Sequence, residues 1–245
     1  MHIPASLQKI ESIHNIKICF AVEAGSRAFG YASEDSDHDV RFIYIHRPEW
    51  YLSIDQGKDV IEEPISENLD ISGWEMTKAL RLFRKSNPSL LEWLQAETVY
   101  EDCFSFADSL RVLNHTYFQP KPALFHYLNI ASANVKKISG GSITIKPLLN
   151  LIRSILSAGW IRNHGTFPPN VIDSSILAPY IKLKKSGHTD PVLLSKEIQS
   201  FIQREMEELR DYAESLRQIH TDPTAELNLL FQNTLKKAWP ENRFR

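Results

Sequence analysis

An apolar run at residues 16–22 ends at Ala24-Gly25-Ser26-Arg27, and a second apolar run at residues 40–45 follows a short polar stretch that contributes Asp37 and Asp39. No other stretch restricts the fold as much. The first run reads as a buried strand, and the second strand begins near Asp37. Gly25 lacks a Cβ, so its backbone can come close to another group. A turn of helix behind it would point free N–H groups at an anion, and Ser26 adds a hydroxyl donor. Side chains alternate along a strand, so Asp37 and Asp39 share one face, and Arg41 shares the face of Asp39. Paired carboxylates beside a phosphate cradle suit magnesium, which binds carboxylates and phosphates rather than closed protein cages.

Two plainer readings compete for Glu34-Asp35-Ser36-Asp37-His38-Asp39. A solvated acidic turn is the ordinary fate of such a run. A calcium loop would use Asp35, Asp37 and Asp39, but it needs glycine where Val40 stands and a bidentate Glu where His46 stands, so it fails. The Gly-Ser pair upstream and the apolar strand downstream favour a metal and phosphate site.

Longer stretches carry a resemblance: Gly25-Ser26-Arg27-Ala28-Phe29-Gly30, Ser36-Asp37-His38-Asp39-Val40-Arg41-Phe42, Tyr44, Asp70-Ile71-Ser72-Gly73-Trp74, Lys78-Ala79-Leu80, and the run from Ser86-Asn87-Pro88 through Glu92-Trp93-Leu94. Together they resemble the DNA polymerase β-like nucleotidyltransferase superfamily, and within it the nucleotidyltransferases of bacteria and phages, some encoded beside RNA-repair genes. The resemblance implies an α+β nucleotidyltransferase fold, with a small mixed β-sheet, flanking helices and an all-helical C-terminal part. It implies a magnesium-dependent transfer, with manganese as a substitute, of a nucleoside monophosphate from a triphosphate such as ATP to an acceptor hydroxyl. An RNA end is the favoured acceptor, and pyrophosphate leaves. Asp37 and Asp39 would bridge the metals, and Asp70 would complete the metal set and act on the acceptor hydroxyl. Gly25, Ser26 and Arg27 would hold phosphates. On a later helix, Lys146 and Arg153 stand two turns apart on one face, and the resemblance places them at the triphosphate.

Other assignments stay open at this level. Asp59, Glu62 and Glu63 could replace Asp70, which could instead cap a helix starting near Gly73. Arg27 could pair with Glu23, and Arg41 could neutralise carboxylates or touch nucleotide. Ser132 and Asn134 are weaker candidates for base or sugar contact. Lys182, Lys184 and Lys185 read as a solvated helix end. Trp74, Phe83 and Trp93 read as core. His126, His164 and His188 receive no role.

The 245 residues accommodate a catalytic domain at 1–108 and a helical domain at 109–245 that closes the nucleotide site. Helices are expected from Pro4, from Trp74, from Asn87-Pro88, and at 123–138, 146–160, 172–185, 191–220 and 224–239. Short extended pieces are expected at 51–54, 60–61 and 69–71. A hydrophobic share of 42% supports a real core, and a net charge of -2 argues against coating long duplex DNA. Cys19 and Cys103 have no metal or redox spacing. No apolar run approaches the ~20 residues of a membrane span, and the start shows no secretory signal, so the expected setting is cytoplasmic. A non-catalytic nucleotide-binding or antitoxin-like module of the same fold is the competing reading.

Overall fold

The computed structural model describes residues 2–55, 57–64, 68–217 and 221–240. In chain order the elements are α1 (Ile3–His14), β1 (Lys17–Glu23), α2 (Gly25–Ala28), β2 (His38–Ile45), α3 (Pro48–Tyr51), β3 (Val60–Glu62), β4 (Leu69–Glu75), α4 (Met76–Arg84), α5 (Pro88–Leu94) and β5 (Val99–Asp102). There follow α6 (Phe106–Tyr117), α7 (Pro120–Val135), β6 (Ser142–Ile143), α8 (Ile145–His164), α9 (Ala178–Lys185), β7 (Val192–Leu193), α10 (Lys196–Ser215) and α11 (Thr224–Ala238). The fold is α+β, with a mixed five-stranded sheet in the order β3-β4-β2-β1-β5 and a helical C-terminal region.

The sheet is covered on both faces, as the unbroken apolar character of its central strands requires. Val40, Phe42 and Tyr44 of β2 pack with Leu7 and Ile10 of α1. Ile43 and Ile45 point the other way, into a larger cluster with Phe20, Val22, Leu91, Leu124 and Leu149. That cluster runs on without a break to Leu209 and Leu227, joining the sheet to the C-terminal helices. β2 pairs antiparallel with β1 and parallel with β4, in a register that sets Asp39 opposite Asp70. Gly73 faces Phe42 across the parallel pair, where an added Cβ would lie 2.2 Å from the phenyl ring. Glycine is the residue that lets the two strands meet there.

Local chemistry explains most element ends. Asn87 Oδ1 accepts from Leu90 N–H at 3.2 Å, with Pro88 in the first turn of α5, as its sequence predicts. The helix after β4 starts at Met76 rather than near Gly73, and the buried Glu75 caps it, its carboxylate accepting from Thr77 N–H at 2.7 Å. Asp70 is therefore no cap.

Three expectations need correction. Residues 51–54 are not extended; Pro48 opens the single turn α3, and the Tyr51 hydroxyl is anchored on Glu75 at 2.7 Å. The helix expected at 172–185 begins only at Ala178. Asp190-Pro191 does not start a helix either. Val192 and Leu193 form β7 against β6, and α10 starts at Lys196 with Ser195 accepting from Ile198 N–H at 3.3 Å. A proline lacking N–H suits the start of a short edge strand as well as a helix. Residues 218–220 of the helix expected at 191–220 lie outside the described residues.

Candidate active site

Gly25 leaves β1 with φ +58°, a conformation that L side chains rarely adopt. A Cβ placed there would lie 1.9 Å from Asp39 Oδ2, so the glycine bend lies directly against that carboxylate. Ala24 N–H donates to the Asp39 carbonyl at 2.7 Å, tying the bend to the start of β2. Glu23 fixes the same point from behind. Its buried carboxylate accepts from Asp39 N–H at 2.9 Å and Tyr100 O–H at 2.5 Å, and lies 2.7 Å from His38 Nδ1. The helix after the bend, α2, is one turn only, so backbone N–H groups rather than a long dipole are what it offers an anion.

Asp39 and Asp70 lie opposite each other in the parallel β2–β4 register. Arg41 joins them. Its Nη2 donates to Asp70 Oδ2 at 2.8 Å and to Asp39 Oδ1 at 3.3 Å, and its Nη1 donates to the carbonyls of Val40 and Asp70, both at 3.1 Å. Partial burial raises the Asp39 pKa above the ordinary carboxylate value, Arg41 opposes that shift, and Asp70 adds to it. Asp39, its charge disfavoured and a second carboxylate beside it, gains from a cation.

Asp37 lies just before β2, close enough to Lys184 to act on its charge. Among the described residues, no three His, Cys, Asp or Glu side chains converge closely enough to hold a metal ion. The structure thus brings together Asp39 and Asp70 around a guanidinium, and does not gather Asp37, Asp39 and Asp70 into one tight triad. The pair fits a divalent cation by its oxygen chemistry. Arg41 is the group such an ion would have to share or displace.

The basic residues divide into two kinds. Arg27 holds the acidic loop, donating to the carbonyls of Ser36 at 2.7 Å and Asp37 at 3.3 Å. Arg153 is buried, pairs with Glu92 at 2.9 Å and lies with its guanidinium carbon 3.4 Å above the Phe29 ring. Lys146 lies near enough to Asp39 to lower its pKa. Lys184, from the cluster read as a solvated helix end, reaches back into the site. Burial lowers its pKa, Lys146 lowers it further, and Asp39 and Asp37 oppose the shift. Of Asp59, Glu62 and Glu63, Asp59 pairs with Lys78 at 2.9 Å and Glu63 lies 3.4 Å from His14.

Asp39 and Arg41 border a cavity of about 240 Å³ that also reaches Gly25, Phe29, Trp74, Trp93 and Asn170. Trp74 follows Asp70 and Ser72 on one face of β4. It contacts the core as expected, yet it also lines this cavity. Asn170 carried no sequence signal, because folding alone brings it to Glu92.

The model of RlaP, the RNA repair pathway DNA polymerase beta family, matches residues 1–233. The chain belongs to this family. Its sequence is 43% identical over 249 residues to the uncharacterized protein YcgL of Bacillus subtilis (strain 168), covering 96% of each chain. A nucleotidyltransferase-like protein from Exiguobacterium sibiricum 255-15 aligns over 100% of this chain and 81% of its own, at 12% identity and a TM-score of 0.33. Family membership agrees with the resemblance carried by the Gly25–Phe42 stretch. Among the described residues, no helix is long and apolar enough to cross a membrane.

Proposed function

We propose that the chain is a metal-dependent nucleotidyltransferase that moves a nucleoside monophosphate from a triphosphate to an acceptor hydroxyl. An RNA end is the favoured acceptor, magnesium is the natural ion and manganese its substitute. The observation that carries this reading is the close packing of the Gly25 bend on Asp39, with Asp70 in register beside it. That arrangement supports a phosphate brought against a carboxylate pair.

Asp39 and Asp70 would hold the ion, with Asp37 at the edge. When bound, the metal supplies charge that stabilises attacking and leaving oxygens. Asp70 accepts the proton of the acceptor hydroxyl. Lys146 and Lys184 take the negative charge of the departing phosphates. Ser26 and the N–H groups of the bend hold the phosphate against the carboxylates. Arg27 contributes by fixing the backbone at Ser36 and Asp37. Arg153 is a positioning residue beneath Phe29.

The competing reading, a non-catalytic nucleotide-binding or antitoxin-like module, draws on one feature. A resident arginine across Asp39 and Asp70 is what a protein without need of a metal would carry. Labelled triphosphates, incubated with magnesium and RNAs of defined ends, separate the two. Labelled product that disappears in Asp39→Asn supports the enzyme. Nucleotide binding without product across triphosphates and acceptors supports the module.

A further inference from the structure

The cavity that Asp39 and Arg41 border at one end is aromatic over much of its remaining wall. Its volume of about 240 Å³ is below the roughly 300–1,000 Å³ of clefts that hold whole drug-sized ligands. It has room for one planar ring system. Phe29, Trp74 and Trp93 supply aromatic walls, and Ser89, Glu92 and Asn170 supply polar groups. The Trp74 and Trp93 ring centroids are 4.0 Å apart. Phe29 is held by Arg153, which Glu92 holds in turn. Rigid aromatic surfaces of this kind stack on any base and do not choose among them.

The choice falls to Asn170, which is only 6% exposed. Its Nδ2 donates to the Glu92 carbonyl at 2.8 Å, which fixes the amide orientation. Its Oδ1 is buried and has no hydrogen-bond partner among the described residues. A buried acceptor left unpaired is costly, and a ligand N–H relieves that cost. We propose that this cavity takes the base of the donor nucleoside triphosphate, and that Asn170 selects a base bearing an amine at purine position 6 or pyrimidine position 4. Adenine and cytosine are accepted over their carbonyl-bearing counterparts, hypoxanthine and uracil. A carbonyl at that position would set oxygen against oxygen. The proposal rests on the nucleotidyltransferase reading and names its substrate more narrowly.

The test uses the full chain with magnesium and no acceptor, following tryptophan fluorescence with ATP, ITP, CTP and UTP, and calorimetry with inorganic tripolyphosphate. ATP and CTP should quench the fluorescence and bind at least ~tenfold more tightly than ITP and UTP, since polar sites reject analogues that leave them unpaired. Tripolyphosphate should bind without quenching. In Asn170→Ala the ratio should fall to about twofold or less. Equal affinities of the unaltered protein for each amine and carbonyl pair would overturn the proposal, while ATP and tripolyphosphate binding would leave the transferase reading standing. A preference that survives in a folded Asn170→Ala would also overturn it. Failure of every triphosphate and of tripolyphosphate to bind would defeat both readings. The decisive comparison is made on the unaltered protein, so a folding defect in the variant cannot obscure it.

Discussion

Two arginines meet carboxylates within this site, in opposite surroundings. Arg153 and Glu92 have side chains only 9% and 16% exposed and are surrounded by Phe29, Tyr127 and Asn170. Arg41 bridges Asp39 and Asp70 at the starts of β2 and β4, where the three side chains are 20%, 28% and 34% exposed. The first pair cannot open without leaving a buried charge unpaired. The second can exchange its partner for water or a metal ion at little cost. One arginine therefore fixes the wall of the site, while the other occupies a place that a ligand can take.

Breaking the buried pair should give the largest effect. Arg153→Ala strands Glu92 and removes the support of Phe29, so urea unfolding should show a loss of about 3–5 kcal/mol. A loss below ~1 kcal/mol, the value for exposed pairs, would erase the contrast between the two arginines. Gly25→Ala tests how tightly the exchangeable side is set. Its backbone conformation alone should cost about 1–3 kcal/mol, and the displaced Asp39 should abolish turnover. Full turnover in that variant would mean that the contact between bend and carboxylate is incidental.

Arg41→Gln should change stability by no more than about 1 kcal/mol. Removing a competing cation should also tighten magnesium binding roughly tenfold by calorimetry, because partly screened charges at this range interact by a few kcal/mol. Weaker magnesium binding would instead make Arg41 part of the ion site.

A further expected effect lies outside both pairs. Burial pushes the His46 pKa down from about 6.5 to about 4. A depressed histidine pKa means that the unfolded chain binds more protons in that window, so stability is full above about pH 6.5 and is lost as pH falls toward 4. His46→Gln should flatten the melting-temperature profile between those values.

The comparison also explains what could be read from residue order. Alternation along β2 puts Val40, Phe42 and Tyr44 in one layer and Ile43 and Ile45 in the other. It also put Arg41 on the face of Asp39, leaving open whether it would meet carboxylates or nucleotide. The Asn87 cap and the glycine bend were legible because each depends on neighbours within a few residues. Lys184 was misread as a plain helix end because Lys182 and Lys185 stand close to it in sequence, whereas its neighbours in space include Asp39 and Tyr31.

By itself the sequence determined the strand–bend–strand unit, the side of β2 that carries Asp39, and membership of the polymerase β-like family, all from local spacing and motif. Tertiary structure decided which charges meet. The Arg153–Glu92 pair, the Asn170–Glu92 bond and the aromatic cavity join parts of the chain from Gly25 to Asn170. Such partners are chosen when packing removes water from the charges they balance, and no periodicity in the chain records that choice.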